Sequence, residues 1–315
     1  MIILFFTFIL MFKLEKFKFS NSGYLLVDMN KKESKKDLEE FLLLHRDSKE
    51  ELGKIKPFIT KPSVKLLYTW GSEEFIAAMT DVIYRGYSIE EALKKVKEEP
   101  EIVERRIRNF LKDGHYSVFE FMGASWLIEG SRAFTHELVR HRIASYWQES
   151  QRYVDYTKSQ LRYVLPPDVA SKVSPLLGSS SQTYITVRDS TAPEDARYIL
   201  PNAMGSRIWV EMNAREFFLT FLPLRTGLGA FHEIRLIAWL MFDTLIDKFP
   251  ITSGWVWENL PKLHPDYSRG IERLKKVYNT EDSRVISIKD AFSKWSIEIP
   301  SSLNQLLSEK LKNHD

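Results

Sequence analysis

Arginine carries the strongest chemical signal in the chain. Arg140, Arg142, Arg152, Arg197, Arg207, Arg215 and Arg225 recur through its middle, several flanked by apolar residues. A guanidinium stays charged at physiological pH and meets phosphate with a two-pronged fork, so such a set fits a phosphorylated ligand. Taken singly, each fits an ion pair with a nearby carboxylate equally well. Ser150-Gln151-Arg152 can offer a hydroxyl, backbone N–H groups and a guanidinium to one phosphate. His136 and His141 bracket Glu137 somewhat as in a zinc-protease helix, but that motif needs its histidines four apart. The actual spacing turns them about 140° from one another on a helix, so no metal site is expected. Cysteine is absent, which removes disulfides, thiolate zinc sites and cysteine nucleophiles. Ser145 and Ser150 lack an evident base, which makes serine nucleophilic catalysis a weak reading.

The chain that must position these groups has 315 residues, 44% of them hydrophobic, enough for a substantial core. A net charge of +3 is ordinary, and the basic residues form no single stripe of the kind nucleic acid requires. The apolar run at Met1–Phe12 is too short to span a membrane and lacks the basic start and cleavage site of a signal peptide. It reads either as a packed strand or as sequence ahead of a later start at Met11 or Met29. No nucleic-acid or membrane partner is expected, and lack of cysteine is compatible with a cytoplasmic location.

Residues 30–58 read as a charged surface helix and a linker to Lys61-Pro62. Val64–Thr69 reads as a strand, and Ser72 and Ser88, each followed by acidic residues, as helix N-caps. Ile102–Lys112 reads as a third helix, Val118–Ile128 as a strand and Ser131–Tyr146 as one helix. The serine-rich stretch Val173–Val187 reads as a loop, and Pro193–Leu200 as a helix. Ile208–Glu211 follows as a strand, then helices at Ala214–Phe221 and Ala230–Lys248 and a polar helix at the end. Helices outnumber strands without strand–helix–strand alternation, so an α+β fold is expected.

The run Arg140-His141-Arg142, seven intervening residues, Ser150 and Arg152 resembles the signature of the flavin-dependent thymidylate synthases. Four further segments resemble that family in order: Gly114-His115-Tyr116-Ser117 with Glu120; Ala196-Arg197 with Leu200-Pro201; Asn213-Ala214-Arg215; and Leu224-Arg225 with Glu233-Ile234-Arg235. The resemblance spans roughly residues 64–262. It divides the chain into an N-terminal extension (1–62), an FAD- and dUMP-binding domain (63–265) and a C-terminal extension (266–315).

The resemblance implies helices packed on a mostly antiparallel sheet, and a homotetramer whose active sites combine several subunits. It implies conversion of dUMP to dTMP, with FAD as cofactor and with methylenetetrahydrofolate and NADPH as co-substrates. Ser117, Arg140, His141, Arg142, Gln148, Asn213 and Arg215 would then face FAD. Glu137, Arg140, Gln148, Ser150, Gln151, Arg152, Arg197 and Arg225 would face dUMP. Arg225, His115 and Glu137 would have catalytic parts. Phe121, Glu137, Trp147, Gln148 and Phe231 depart from the family pattern, and around Leu219 and Thr220 the chain gains one residue. These departures leave open a second reading, a diverged relative that binds flavin or nucleotide with a lost or altered reaction.

Overall fold

The protein is described by a computed structural model in which residues 57–312 are placed. The apolar leader and residues 30–56 of the 30–58 segment read as a charged helix and linker lie outside the described residues. Short strand β1 (Phe58–Thr60) occupies part of the expected linker, and β2 (Ser63–Trp70) follows it. Three helices come next: α1 (Glu73–Arg85), α2 (Ile89–Glu98) and α3 (Glu101–Asp113). Ser72 and Ser88 cap the first two as their side chains allow, and Ser88 with Glu91 completes a reciprocal capping box. Strand β3 (Gly123–Ser131), helix α4 (Arg132–Leu138), strand β4 (Ala144–Gln148) and strand β5 (Arg162–Val164) then lead to helix α5 (Pro167–Arg188). Helix α6 (Pro193–Ala196), strand β6 (Gly205–Asn213), helix α7 (Ala214–Glu216) and helix α8 (Leu222–Thr226) follow. The chain closes with α9 (His232–Asp243), α10 (Pro250–Leu263), α11 (Ile271–Tyr278), α12 (Ser283–Trp295) and α13 (Ser301–Lys312).

One four-stranded sheet, in the order β2-β3-β6-β4 and antiparallel throughout, organises the site, and β1 pairs with β5 in a small parallel sheet. Alternate residues of the central strands (Ala124, Trp126 and Ile128; Ile208, Val210 and Met212) enter one core that also holds buried residues of α9, α10 and α12. The fold is α+β. The segment after residue 265 belongs to this same core: Tyr267, Ile288, Phe292 and Trp295 are buried in it, and Trp239 donates to Ser287.

Three expected elements differ. The serine-rich stretch forms most of α5, because Ala170, Leu177, Ser181 and Tyr184 fall on one buried face against Tyr156 and Tyr163. Its hydroxyls bond back to carbonyls one turn earlier (Ser181 to Leu177, Thr183 to Ser179), so the serines need no loop to be satisfied. Residues 131–146 are not one helix. α4 ends at Leu138, and a turn leads into β4, where Tyr146 donates to the carbonyls of Leu138 (2.9 Å) and His141 (2.6 Å) and so ties the turn shut. The stretch read as a strand from Val118 begins instead as a 3-10 turn, Tyr116–Phe121. Between α7 and α8 the chain makes a π turn over Phe217–Phe221, the local form by which a helix absorbs one extra residue. This turn contains Leu219 and Thr220, where the resemblance implies one added residue.

Candidate active site

The site begins at the junction of β6 and α7. Asn213 closes the strand, and its side-chain oxygen accepts from the Glu216 N–H (2.8 Å), starting a helix in the next residue. That sharp change of direction sends Arg215 outward, onto Glu120, and Glu216 inward. Glu216 is 4% exposed and lies 2.8 Å from Nδ1 of His141, itself 6% exposed. On the other ring nitrogen, Arg225 Nε donates to Nε2 at 2.9 Å. A guanidinium can only donate, so Nε2 must be the bare nitrogen and Nδ1 carries the proton that goes to Glu216. Arg225 also donates from Nη1 to Glu137 Oε2 (2.9 Å) and from Nη2 to the Glu137 carbonyl (3.3 Å). Glu216, His141, Arg225 and Glu137 thus form one chain of hydrogen bonds from the core to the surface.

The Arg-His-Arg triplet lies in the turn between α4 and β4, not on the single helix expected over residues 131–146. The turn exposes Arg140 and Arg142 and buries His141 between them. Both ring nitrogens of His141 are engaged within the protein, Nδ1 with Glu216 and Nε2 with Arg225. His136 is exposed on α4.

A second cluster lies at the other end of α4. Arg152 pairs with Glu194, and Arg197 donates to the Glu194 carbonyl (3.1 Å). Arg132, the first residue of α4, is close enough for the Arg197 charge to act on it, and burial as well as this repulsion lowers its pKa. Neither Arg132 nor Arg197 has a carboxylate partner among the described residues. Three guanidiniums with one carboxylate are poised for a dianion. The Ser150 hydroxyl accepts from Arg152 N–H (3.2 Å), and Gln151 is part of the same turn. Glu149 anchors that turn through Arg207 (2.7 Å), Arg162 (3.4 Å) and the Tyr156 hydroxyl (3.0 Å). Gln148 donates to Thr135 and Ser206, each at 3.0 Å, and so braces β4 on α4. His115 and Ser117 are exposed beside the 3-10 turn, near the Glu120–Arg215 pair.

Sequence reading missed Arg132, Glu194, Glu149 and Glu216. Glu216 follows the Asn-Ala-Arg run directly and is the third residue after a helix-capping Asn, a position that could have marked it. Arg132 and Glu194 have no such local signal, since only the fold brings Glu194 to Arg152 and Arg132 to Arg197.

Residues 65–251 match the family described as thymidylate synthase complementing protein. The flavin-dependent thymidylate synthase of Pyrobaculum aerophilum is 46% identical over 233 residues, 74% of this chain and 91% of that relative. The chain belongs to the flavin-dependent thymidylate synthase family. A second member, from Saccharolobus solfataricus, is 33% identical over 248 residues, covering 76% of this chain and 89% of its own. The fold of this family member also resembles a solved UMP/dUMP methylase, PolB from Streptomyces cacaoi, bound with 5-Br dUMP. That likeness has a TM-score of 0.55 at 22% identity, over 62% of this chain and 95% of the other.

One buried carboxyl of this synthase-family site titrates near neutrality. Glu233 accepts from the Ser131 N–H and hydroxyl, both at 2.6 Å, and burial pushes its pKa from 4.5 up to about 7. Between those values the folded chain keeps a proton that the unfolded chain has released. Stability from this group therefore falls as pH rises through that window and is flat above it. Glu233→Gln can keep both contacts, accepting from the Ser131 N–H and donating to its hydroxyl. The variant is expected to melt higher than the parent at pH 8 and to lose the decline between pH 5 and 7, roughly the span of the shift. Parallel melting curves across that range would contradict the assignment.

Proposed function

We propose that the chain is an active thymidylate synthase that methylates dUMP to dTMP with bound FAD, methylenetetrahydrofolate as carbon donor and NADPH as reductant. The observation that carries this is the placement of two unlike clusters at the two ends of α4: guanidiniums suited to a phosphate at Arg132, and the Glu137–Arg225–His141–Glu216 chain at its far end. A seven-residue helix is about 10 Å long, and a nucleoside monophosphate likewise separates its phosphate from its base. Arg132, Arg152, Arg197 and Ser150 would hold the phosphate, and Arg225 would face the pyrimidine. Arg225 would stabilise negative charge as it develops on the ring, with Glu137 and His141 fixing its fork. Arg140 and Arg142, exposed and without carboxylate partners among the described residues, suit the diphosphate of FAD. Ser117, Arg215 and the free amide of Asn213 would complete that surface. When bound, reduced flavin supplies the hydride, the folate supplies the carbon, and NADPH restores the flavin.

The assembly proposed is a homotetramer. Tyr68, Leu127, Trp147 and Trp209 are exposed on one face of the sheet, with Trp147 stacked on Trp209 at 6.0 Å, an aromatic surface suited to a second copy. Among the described residues no helix is long and apolar enough to cross a membrane, and a cytoplasmic location is part of the same proposal.

Two measurements test the reading. The gene should rescue a thymidine auxotroph, and failure to rescue at normal expression would favour the diverged relative. The purified protein should bind FAD, and Arg215→Ala should weaken FAD more than dUMP. Absence of any flavin-dependent thermal shift would remove the cofactor assignment. At the phosphate end, Arg132→Ala and Arg152→Ala are each expected to raise the dUMP dissociation constant at least about tenfold, since removing one charged partner costs on the order of 2 kcal/mol. A change below about threefold would take that residue out of the phosphate site.

A further inference from the structure

Past Arg225 the site opens into a cavity of about 930 Å³. Glu137 and Arg225 form its near end, the turn from Gly227 to Arg235 its floor, and residues 264–274 with Asp290 and Lys294 its far wall. That wall lies beyond the segment 65–251 that matches the family. It is nonetheless fixed to the floor. Leu228 N–H donates to the Tyr267 carbonyl (2.9 Å), Tyr267 is fully buried, and a side chain at Gly227 would press on the Tyr267 backbone at 3.3 Å. The Arg269 side chain reaches across Gly229 on the floor.

Charge and unmet hydrogen bonding both point to an anionic occupant. The lining carries Arg225, Arg235, Arg269, Arg273 and Lys294 against Glu137, Asp266 and Asp290. Three of these cations are paired: Arg225 with Glu137, Arg235 with Asp290, and Lys294 with Asp168 outside the cavity. Arg269 and Arg273 have no carboxylate partner among the described residues. Deeper in, Arg235 is 4% exposed, and its Nε is buried with nothing to donate to. Nδ1 of His232 beside it is likewise buried and unpartnered. Buried polar atoms of this kind normally find a hydrogen-bond partner, the Arg235 N–H needs that partner to be an acceptor, and an excess of guanidinium selects an oxyanion.

We propose that the C-terminal wall is an oxyanion subsite, in which Arg269 and Arg273 hold the anionic end of a co-substrate while its reactive end reaches Arg225. The inference rests on the function proposed above and adds a ligand site outside the family segment. A phosphate and a carboxylate would satisfy the same guanidiniums. Within the proposed reaction the sources are the phosphate that distinguishes NADPH from NADH, and the glutamate carboxylates of the folate.

The test uses the full chain and the double variant Arg269→Gln/Arg273→Gln, both loaded with FAD and dUMP. These arginines are exposed, and equal melting temperatures confirm that the variant folds. Calorimetric titration compares NADP⁺ with NAD⁺, and triglutamyl with monoglutamyl tetrahydrofolate. The parent should prefer the more anionic member of one pair by about fivefold or more, and the variant should lose that preference while FAD and dUMP constants stay unchanged. Preference in the nicotinamide pair assigns the phosphate, and preference in the folate pair assigns the carboxylate. A smaller preference in both pairs, or one that survives in the variant, overturns the subsite. Failure of the parent to bind FAD or dUMP would instead overturn the proposed function.

Discussion

Arg225→Gln is expected to lower kcat for thymidylate formation by about 10²- to 10³-fold, the usual loss when one preorganised donor is taken from developing charge. The side chain is 15% exposed, and burial lowers its pKa, yet it stays charged because Glu137 lies 2.9 Å away. Its fork is filled on two sides, Nε on His141 and Nη1 on Glu137. The plane of the guanidinium is therefore fixed before any ligand arrives, and no reorganisation is required during reaction. Arg225→Lys keeps a charge but cannot hold both partners in one plane, so it should recover only part of the loss. The dUMP dissociation constant should change far less than kcat, because the proposed phosphate site is at the other end of α4. Steady-state kinetics with separate dUMP binding measures the split. A variant that kept full turnover would remove Arg225 from the chemistry.

The second large effect is expected at Glu216, which touches no ligand in this reading and acts as a positioning residue. Glu216→Ala leaves a buried Nδ1–H on His141 without an acceptor and opens a void beside Phe221, whose ring meets His141 at 4.9 Å. An unsatisfied buried donor next to a lost carboxylate should lower unfolding free energy by about 2–3 kcal/mol, read from urea denaturation. Glu216→Gln keeps an acceptor of similar shape and should cost about 1 kcal/mol or less. The two variants should also differ in the histidine. In the parent and in Glu216→Gln, nitrogen NMR should find the proton on Nδ1. In Glu216→Ala the ring has no such constraint and Arg225 loses its fixed neighbour, so kcat should fall without a matching change in dUMP affinity. Equal stability of all three proteins would show that the carboxylate is not needed to hold the histidine.

Much of the helical framework was legible because its signals are local. Ser72 and Ser88 with their acidic followers mark two helix starts, and the apolar residues at helical spacing mark α3. The chemical identities of the site were also carried by short runs, since Arg140-His141-Arg142, Ser150 and Arg152 sit within a few residues of one another. What the sequence left open depended on contacts between distant residues. Whether the serines of α5 made a loop or a helix was decided by the second core around Tyr163 and Tyr184. Local composition contains nothing about that core. The end of α4 at Leu138 was set by the pairing of β4 with β6, which draws residues 144–148 into the sheet. That pairing turned His141 inward and left its two arginine neighbours outside. Glu216, Glu194 and Arg132 gained their parts only when strand order and the turns around it placed them beside His141, Arg152 and Arg197. Residue types and spacing determined which chemistry this chain can do. Which carboxylate faces which cation was fixed by tertiary structure alone, because charges interact through distance in space and not along the chain.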